Sequence, residues 1–112
     1  MPVLQISTNV TIDNKHNLAK QASSLVAEIL GKPESYVMIN IDTEADLIFA
    51  GSDEPCALLM LKSLGLPETE TKTYSEKLCT FIEQQLGVSA SRTYIEFISP
   101  QRHMFGWNSS TF

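Results

Sequence analysis

Cysteine, arginine and long apolar runs are all scarce in this sequence. Two cysteines, Cys56 and Cys79, occur among 112 residues. Two thiols cannot build a disulfide scaffold, so both are expected to be free, in a reducing, cytoplasmic setting. Two arginines stand among eight basic residues, against thirteen acidic ones, for a formal charge of −5. A nucleic-acid surface needs basic clusters, so this balance argues against nucleic acid as the main partner. No run nears the roughly 20 apolar residues that span a bilayer, so no membrane partner is expected. The start, Met1-Pro2-Val3-Leu4-Gln5, lacks the basic and then apolar pattern of a secretory leader. His16 and His103 are solitary, without ligand partners at helical spacing, so no metal site is expected. The five glycines are scattered, which excludes a glycine-rich phosphate loop. What remains is a globular composition of one domain's length, residues 1–112.

The apolar pattern predicts two similar halves, approximately 1–56 and 57–112. Val3–Thr8 alternates at period 2, as a strand does. Asp13 is a plausible N-cap for a helix on which Leu18, Ala22, Leu25, Val26, Ile29 and Leu30 share one side. Gly31 and Pro33 are stop signals. Tyr36–Ile41 reads as a second strand. The short run Leu47–Ala50 ends in loop residues, Gly51 to Pro55. Cys56–Leu64 predicts a long third strand. Tyr74, Leu78, Phe81, Ile82 and Leu86 mark a second helix, stopped by Gly87. Thr93–Ile98 is the fourth strand, and the tail from Pro100 reads as irregular, with apolar anchors Phe105, Trp107 and Phe112. Cys79, on the apolar side of the second helix, reads as a packed thiol. Asp42, Glu44 and Asp46 read as a solvated acidic rim.

The two helix-stop glycines lie 56 residues apart, half the chain length. At that spacing Leu30 meets Leu86, Ile39 meets Ile95 and Ser7 meets Ser63. Identities are few, so either a true duplication or two generic βαβ units satisfies the pattern. Both give an α/β (α+β) chain of order β-α-β-β-α-β, with two helices on one face of a four-stranded mixed sheet. Two helices leave the other face uncovered, and a chain this small buries only about 60–70% of its unfolded surface alone. Association through that face or the sheet edges is expected.

Two residues carry chemical signals. Pro2 follows a methionine whose removal a small second residue permits. Its nitrogen would then be an amine, with an ordinary pKa near 7.7–8.0 that burial or a nearby cation lowers. Such a nitrogen can act as a general base at neutral pH. Met-Pro is also an ordinary way for a chain to begin. Lys32 sits just past the first helix, where it either steadies the helix dipole or binds a substrate carboxylate.

Several fragments together carry a resemblance. They are Met1-Pro2, Ser7-Thr8-Asn9-Val10, Gly31-Lys32-Pro33 with Tyr36, Glu54-Pro55-Cys56-Ala57, Ser63-Leu64-Gly65, Arg92-Thr93-Tyr94-Ile95 and Gly106-Trp107-Asn108-Ser109-Ser110-Thr111-Phe112. In this order and spacing the chain resembles the macrophage migration inhibitory factor family of the tautomerase superfamily. The resemblance implies a homotrimer with active sites between subunits. It implies cofactor-independent keto–enol tautomerisation of phenylpyruvate-like α-keto acids, and of dopachrome analogues.

Carried over by position, the resemblance makes Pro2 the base and Lys32 the carboxylate ligand. Leu64 would offer its backbone N–H to substrate, and Tyr94 would come from the neighbouring subunit. Val3, Tyr36, Phe105, Trp107 and Phe112 would line an apolar pocket for the aromatic ring. Two departures bear on function. Glu96 stands where animal members usually carry an asparagine facing the substrate; an ionised Glu96 there would raise the Pro2 pKa and repel a carboxylate, unless a cation pairs with it. The family's Cys-Ala-Leu-Cys is here Cys56-Ala57-Leu58-Leu59, so thiol–disulfide exchange at this motif is not expected. The competing reading is a cytokine-like trimeric binding protein with weak or vestigial tautomerase activity.

Overall fold

A computed structural model describes all 112 residues. The elements run β1 (Val3–Thr8), α1 (Lys15–Leu30), β2 (Met38–Asp42), β3 (Ala57–Lys62), α2 (Thr71–Leu86), β4 (Thr93–Ile98), then a short hairpin of β5 (Gly106–Trp107) and β6 (Ser110–Thr111). The main sheet has the order β2-β1-β3-β4. Its outer pairs are parallel and its central pair, β1 with β3, is antiparallel. Each half is therefore a parallel βαβ unit, and the two units join back to back. No helix is long and apolar enough to cross a membrane.

Strand alternation separates the two sheet faces. Leu4, Ile6, Leu59 and Leu61 are fully buried, and they pack with Ala22, Val26, Leu78 and Ile82 of the helices in one core. Their neighbours Val3, Gln5, Met60 and Lys62 point to the opposite, helix-free face and are only partly covered. Met38, Leu58 and Tyr94 on that face are 65%, 49% and 65% exposed, so the apolar surface expected to lie bare is present.

Helix ends follow local chemistry, with one shift from expectation. The α1 cap is Asn14, not Asp13: the Asn14 side chain accepts the Asn17 N–H at 2.9 Å. Asn and Asp cap equally well, so composition could not choose between adjacent positions. Gly31 ends α1 in the left-handed region at φ 62°, and the Lys32 N–H turns back to the Ala27 carbonyl at 3.1 Å.

Three strand limits also differ. Tyr36 does not begin β2. It closes a 3-10 turn, Glu34–Tyr36, in which its N–H donates to the Pro33 carbonyl. Cys56 lies outside β3 because its N–H goes to the Asn9 side chain instead of a strand partner. At the other end β3 stops at Lys62, two residues before Leu64. The tail is not irregular: Asn108 and Ser109, at φ 52° and 62°, form the two-residue loop of the β5–β6 hairpin. The helices keep the 56-residue spacing, but β1 and β3 begin 54 residues apart, so Ser7 lies in a strand and Ser63 just past one.

Cys56 is buried and Cys79 half-buried, both as free thiols. Asp42, Glu44 and Asp46 are all exposed. Leu59→Ala should lower the unfolding free energy by about 2–5 kcal/mol, the cost of emptying a fully buried leucine site. Urea unfolding checks this.

Candidate active site

The site gathers around the start of β1. The Pro2 ring is fully buried and its carbonyl accepts the Met38 N–H at 3.0 Å, which extends the β1–β2 ladder by one bond. Beside it opens a cavity of about 250 Å³ walled mainly by Met1, Pro2, Val3, Tyr36, Phe105 and Trp107. A second cavity of about 410 Å³ shares Met1 and Tyr36 and adds Lys32, Leu64, Gly65, Arg102 and Phe112. One is mostly apolar and the other holds cations, a combination suited to a small aromatic acid.

Lys32 is held from both ends. Its backbone N–H closes α1, and its Nζ donates to the Leu64 carbonyl at 2.8 Å. That bond spans from the end of α1 to the end of β3 and leaves two ammonium N–H groups free. The Leu64 N–H lies beyond the strand and donates to no backbone carbonyl. A lysine and a free backbone donor thus belong to bonded neighbours at one cavity.

The aromatic wall is built by the tail hairpin. Trp107 stacks on Phe112 at 5.9 Å between ring centroids, and meets the Tyr36 ring edge-on at the same distance. Phe105 meets Phe112 edge-on, also at 5.9 Å, and the Phe112 N–H donates to the Phe105 carbonyl. The tight Asn108-Ser109 turn lets one short segment present three aromatic rings. Asn in a two-residue gap between short β-prone runs was the available signal for this hairpin.

Electrostatics favour a neutral amine here. The Met1 amino group is pushed below its usual 8.0, first by burial and then by the positive charges of Lys32 and Arg102. Arg102 was not among the residues expected from sequence. It sits in a 3-10 turn, Arg102–Met104, and reaches the second cavity. Nothing in its sequence neighbourhood marked it, because an isolated arginine in a polar turn reads as solvated.

Of the residues singled out from sequence, Pro2, Val3, Lys32, Tyr36, Leu64, Phe105, Trp107 and Phe112 meet at these two adjoining cavities. Tyr94 and Glu96 do not join them within one chain. Both are exposed on the helix-free face of β4. Tyr94 rests edge-on against Phe49 at 5.0 Å and lines a separate cavity of about 170 Å³ with Leu47, Ile48 and Leu58. Glu96 pairs in register with Met60 and lies diagonal to Lys62.

The comparisons agree with one another. The model of the family described as macrophage migration inhibitory factor (MIF) matches residues 1–112. The chain is 37% identical to a macrophage migration inhibitory factor homolog of Brugia malayi, over 100% of this chain and 99% of that protein. It is 35% identical to the macrophage migration inhibitory factor of Xenopus tropicalis, with the same coverage. Among solved structures, the homologue from Prochlorococcus marinus superposes with a TM-score of 0.93 at 38% identity, covering 98% of each chain. The protein from Trichinella spiralis also gives 0.93, at 33% identity, over 98% of this chain and 99% of that one. With a family match along its whole length, a shared fold and relatives above 30% identity, the chain belongs to the macrophage migration inhibitory factor family.

Proposed function

We propose that the protein is a cofactor-independent keto–enol tautomerase of phenylpyruvate-like α-keto acids, with the Pro2 amine as its base. Family membership supports the tautomerase or cytokine-like class. The observation that carries the narrower reading is the setting of the Met1 amine: partly covered, flanked by Lys32 and Arg102, and open to an apolar cavity.

Once Met1 is removed, the amine is the Pro2 nitrogen, one residue along. Burial and the same two cations then favour its neutral form, the one able to accept a proton. The substrate carboxylate sits on Lys32 and the Leu64 N–H. The ring enters the cavity lined by Val3, Tyr36, Phe105 and Trp107, with Phe112 behind. Pro2 takes a proton from the carbon beside the carbonyl and returns it to the carbonyl oxygen. Carbon loses one proton, oxygen gains one, and nothing is consumed.

Tyr94 and Glu96 enter this reading through assembly. Both are exposed and remote from Pro2 in their own chain, on a face with apolar surface still bare. A homotrimer that brings β4 of one subunit to the Pro2 mouth of the next supplies both. A cytokine-like role needs the same trimer but not the amine, so Pro2 chemistry separates the two readings.

Three outcomes are expected. Phenylpyruvate turnover, with the N-terminus verified by intact mass, should fall about 10²–10⁴-fold when Met1 is retained and the nitrogen is an amide, the usual contribution of a general base. A processed protein without turnover removes phenylpyruvate as a substrate. Lys32→Ala should raise KM about tenfold, the loss of one charge-assisted contact worth about 1.4 kcal/mol. Because the lost cation no longer depresses the amine pKa, the rising limb of kcat/KM against pH should also move to higher pH. Glu96→Gln should do the reverse, moving that limb to lower pH and raising turnover about two- to tenfold, as loss of a nearby negative charge requires. An unchanged pH profile would show that Glu96 does not face the amine.

A further inference from the structure

The chain's two arginines are used differently. Arg92 gives its guanidinium and Nε to the carbonyls of Phe49, Ser52, Glu54 and Pro55, at 2.9–3.2 Å, and lies over the Phe49 ring. It is a clamp on the Leu47–Pro55 segment. Arg102 donates to no acceptor in the chain and faces the same 410 Å³ cavity as Lys32. No Asp or Glu lines that cavity or its apolar neighbour, although the chain has thirteen. Two cations therefore meet at one mouth, without a countercharge in its wall, on a molecule of net charge −5. Like charges brought together repel, and an anion that bridges them removes that cost.

One cation suffices for a monocarboxylate, and Lys32 is already aimed by its bond to Leu64. Arg102 adds a planar fork whose paired N–H groups match a second carboxylate. We propose that Arg102 is a substrate-selecting residue, and that this cavity takes a 2-oxo dicarboxylic acid with one carboxylate on Lys32 and the other on Arg102. The inference rests on the tautomerase reading and extends its substrates to α-keto acids that carry a second carboxylate. In such an acid the carbon between the ketone and the second carboxylate gives its proton to the Pro2 amine. The C–H electron pair becomes the enol double bond, and the amine returns the proton to the carbonyl oxygen. No further reactant is needed.

The test compares the processed protein with Arg102→Gln and Arg102→Lys, using 2-oxobutanedioate and phenylpyruvate as substrates. Loss of the Arg102 charge changes the Pro2 pKa for both substrates alike, so the ratio of their kcat/KM values isolates selectivity. Arg102→Gln should lower the dicarboxylate-to-phenylpyruvate ratio about tenfold, the scale of one charge-assisted contact, and Arg102→Lys should recover part of it. In parallel, the unreactive dianion malonate and the monoanion acetate are titrated into each protein and followed by NMR. Malonate should bind about tenfold more weakly to Arg102→Gln, and acetate less than about threefold more weakly. Equal losses for dianion and monoanion would overturn the proposal and make Arg102 a second ligand of a single carboxylate. No loss for either would also overturn it, leaving Arg102 solvated or paired with a neighbouring subunit's Glu96. If the processed protein turns over neither substrate, the tautomerase reading fails, and the malonate titration still decides the role of Arg102.

Discussion

The central antiparallel pairing of β1 with β3 determines where everything else lies. Its register sets Val3 against Lys62 and Leu4 against Leu61. Continued outward, the same register brings Pro2 and Met1 toward Ser63 and Leu64, and so toward Lys32, which is bonded to Leu64. A slip of one residue would turn Leu4 and Ile6 out of the core and move the amine away from its cations. The buried leucines and isoleucines that stabilise the sheet thus also specify the site. Core and chemistry are set by one alignment of two strands.

Charge is distributed against the average. The molecule is acidic, and Asp42, Glu44 and Asp46 are left to solvent. Around the amine, however, stand Lys32 and Arg102 with aromatic rings behind them. Burial and positive charge act in the same direction on an amine, both disfavouring its protonated form. The same cations attract a carboxylate. One local arrangement thereby serves two needs of the proposed reaction, a neutral base and an anchored acid.

The helix-free face has a different character. Arg92 secures the Leu47–Pro55 segment, Phe49 packs between Arg92 and Tyr94, and Tyr94 remains largely exposed. An aromatic residue braced from behind but open to solvent is organised before any partner arrives. Such bracing lowers the ordering cost of any contact that Tyr94 makes.

Much of the architecture was legible in the residues alone. Period 2 marked β1, apolar and β-branched runs marked the other three main strands, period-3.6 runs marked both helices, and Gly31 and Gly87 marked the helix ends, because these signals are local in the chain. Boundaries were less legible where a side chain or a turn took a backbone donor, as Asn9 does at Cys56 and Pro33 does at Tyr36. The hairpin was hidden by its brevity, although Asn108 signalled its turn. Pro2 and Lys32 carried chemical cues of their own, an unusual amine and a cation after a helix stop. Arg102 carried none. Its meaning comes from the cavity it shares with Lys32, residues 70 apart in sequence that only the tertiary fold makes neighbours. Sequence determined which segments could pair and which face they would bury. Tertiary structure decided which charges meet, since electrostatic environment depends on distance through space rather than along the chain.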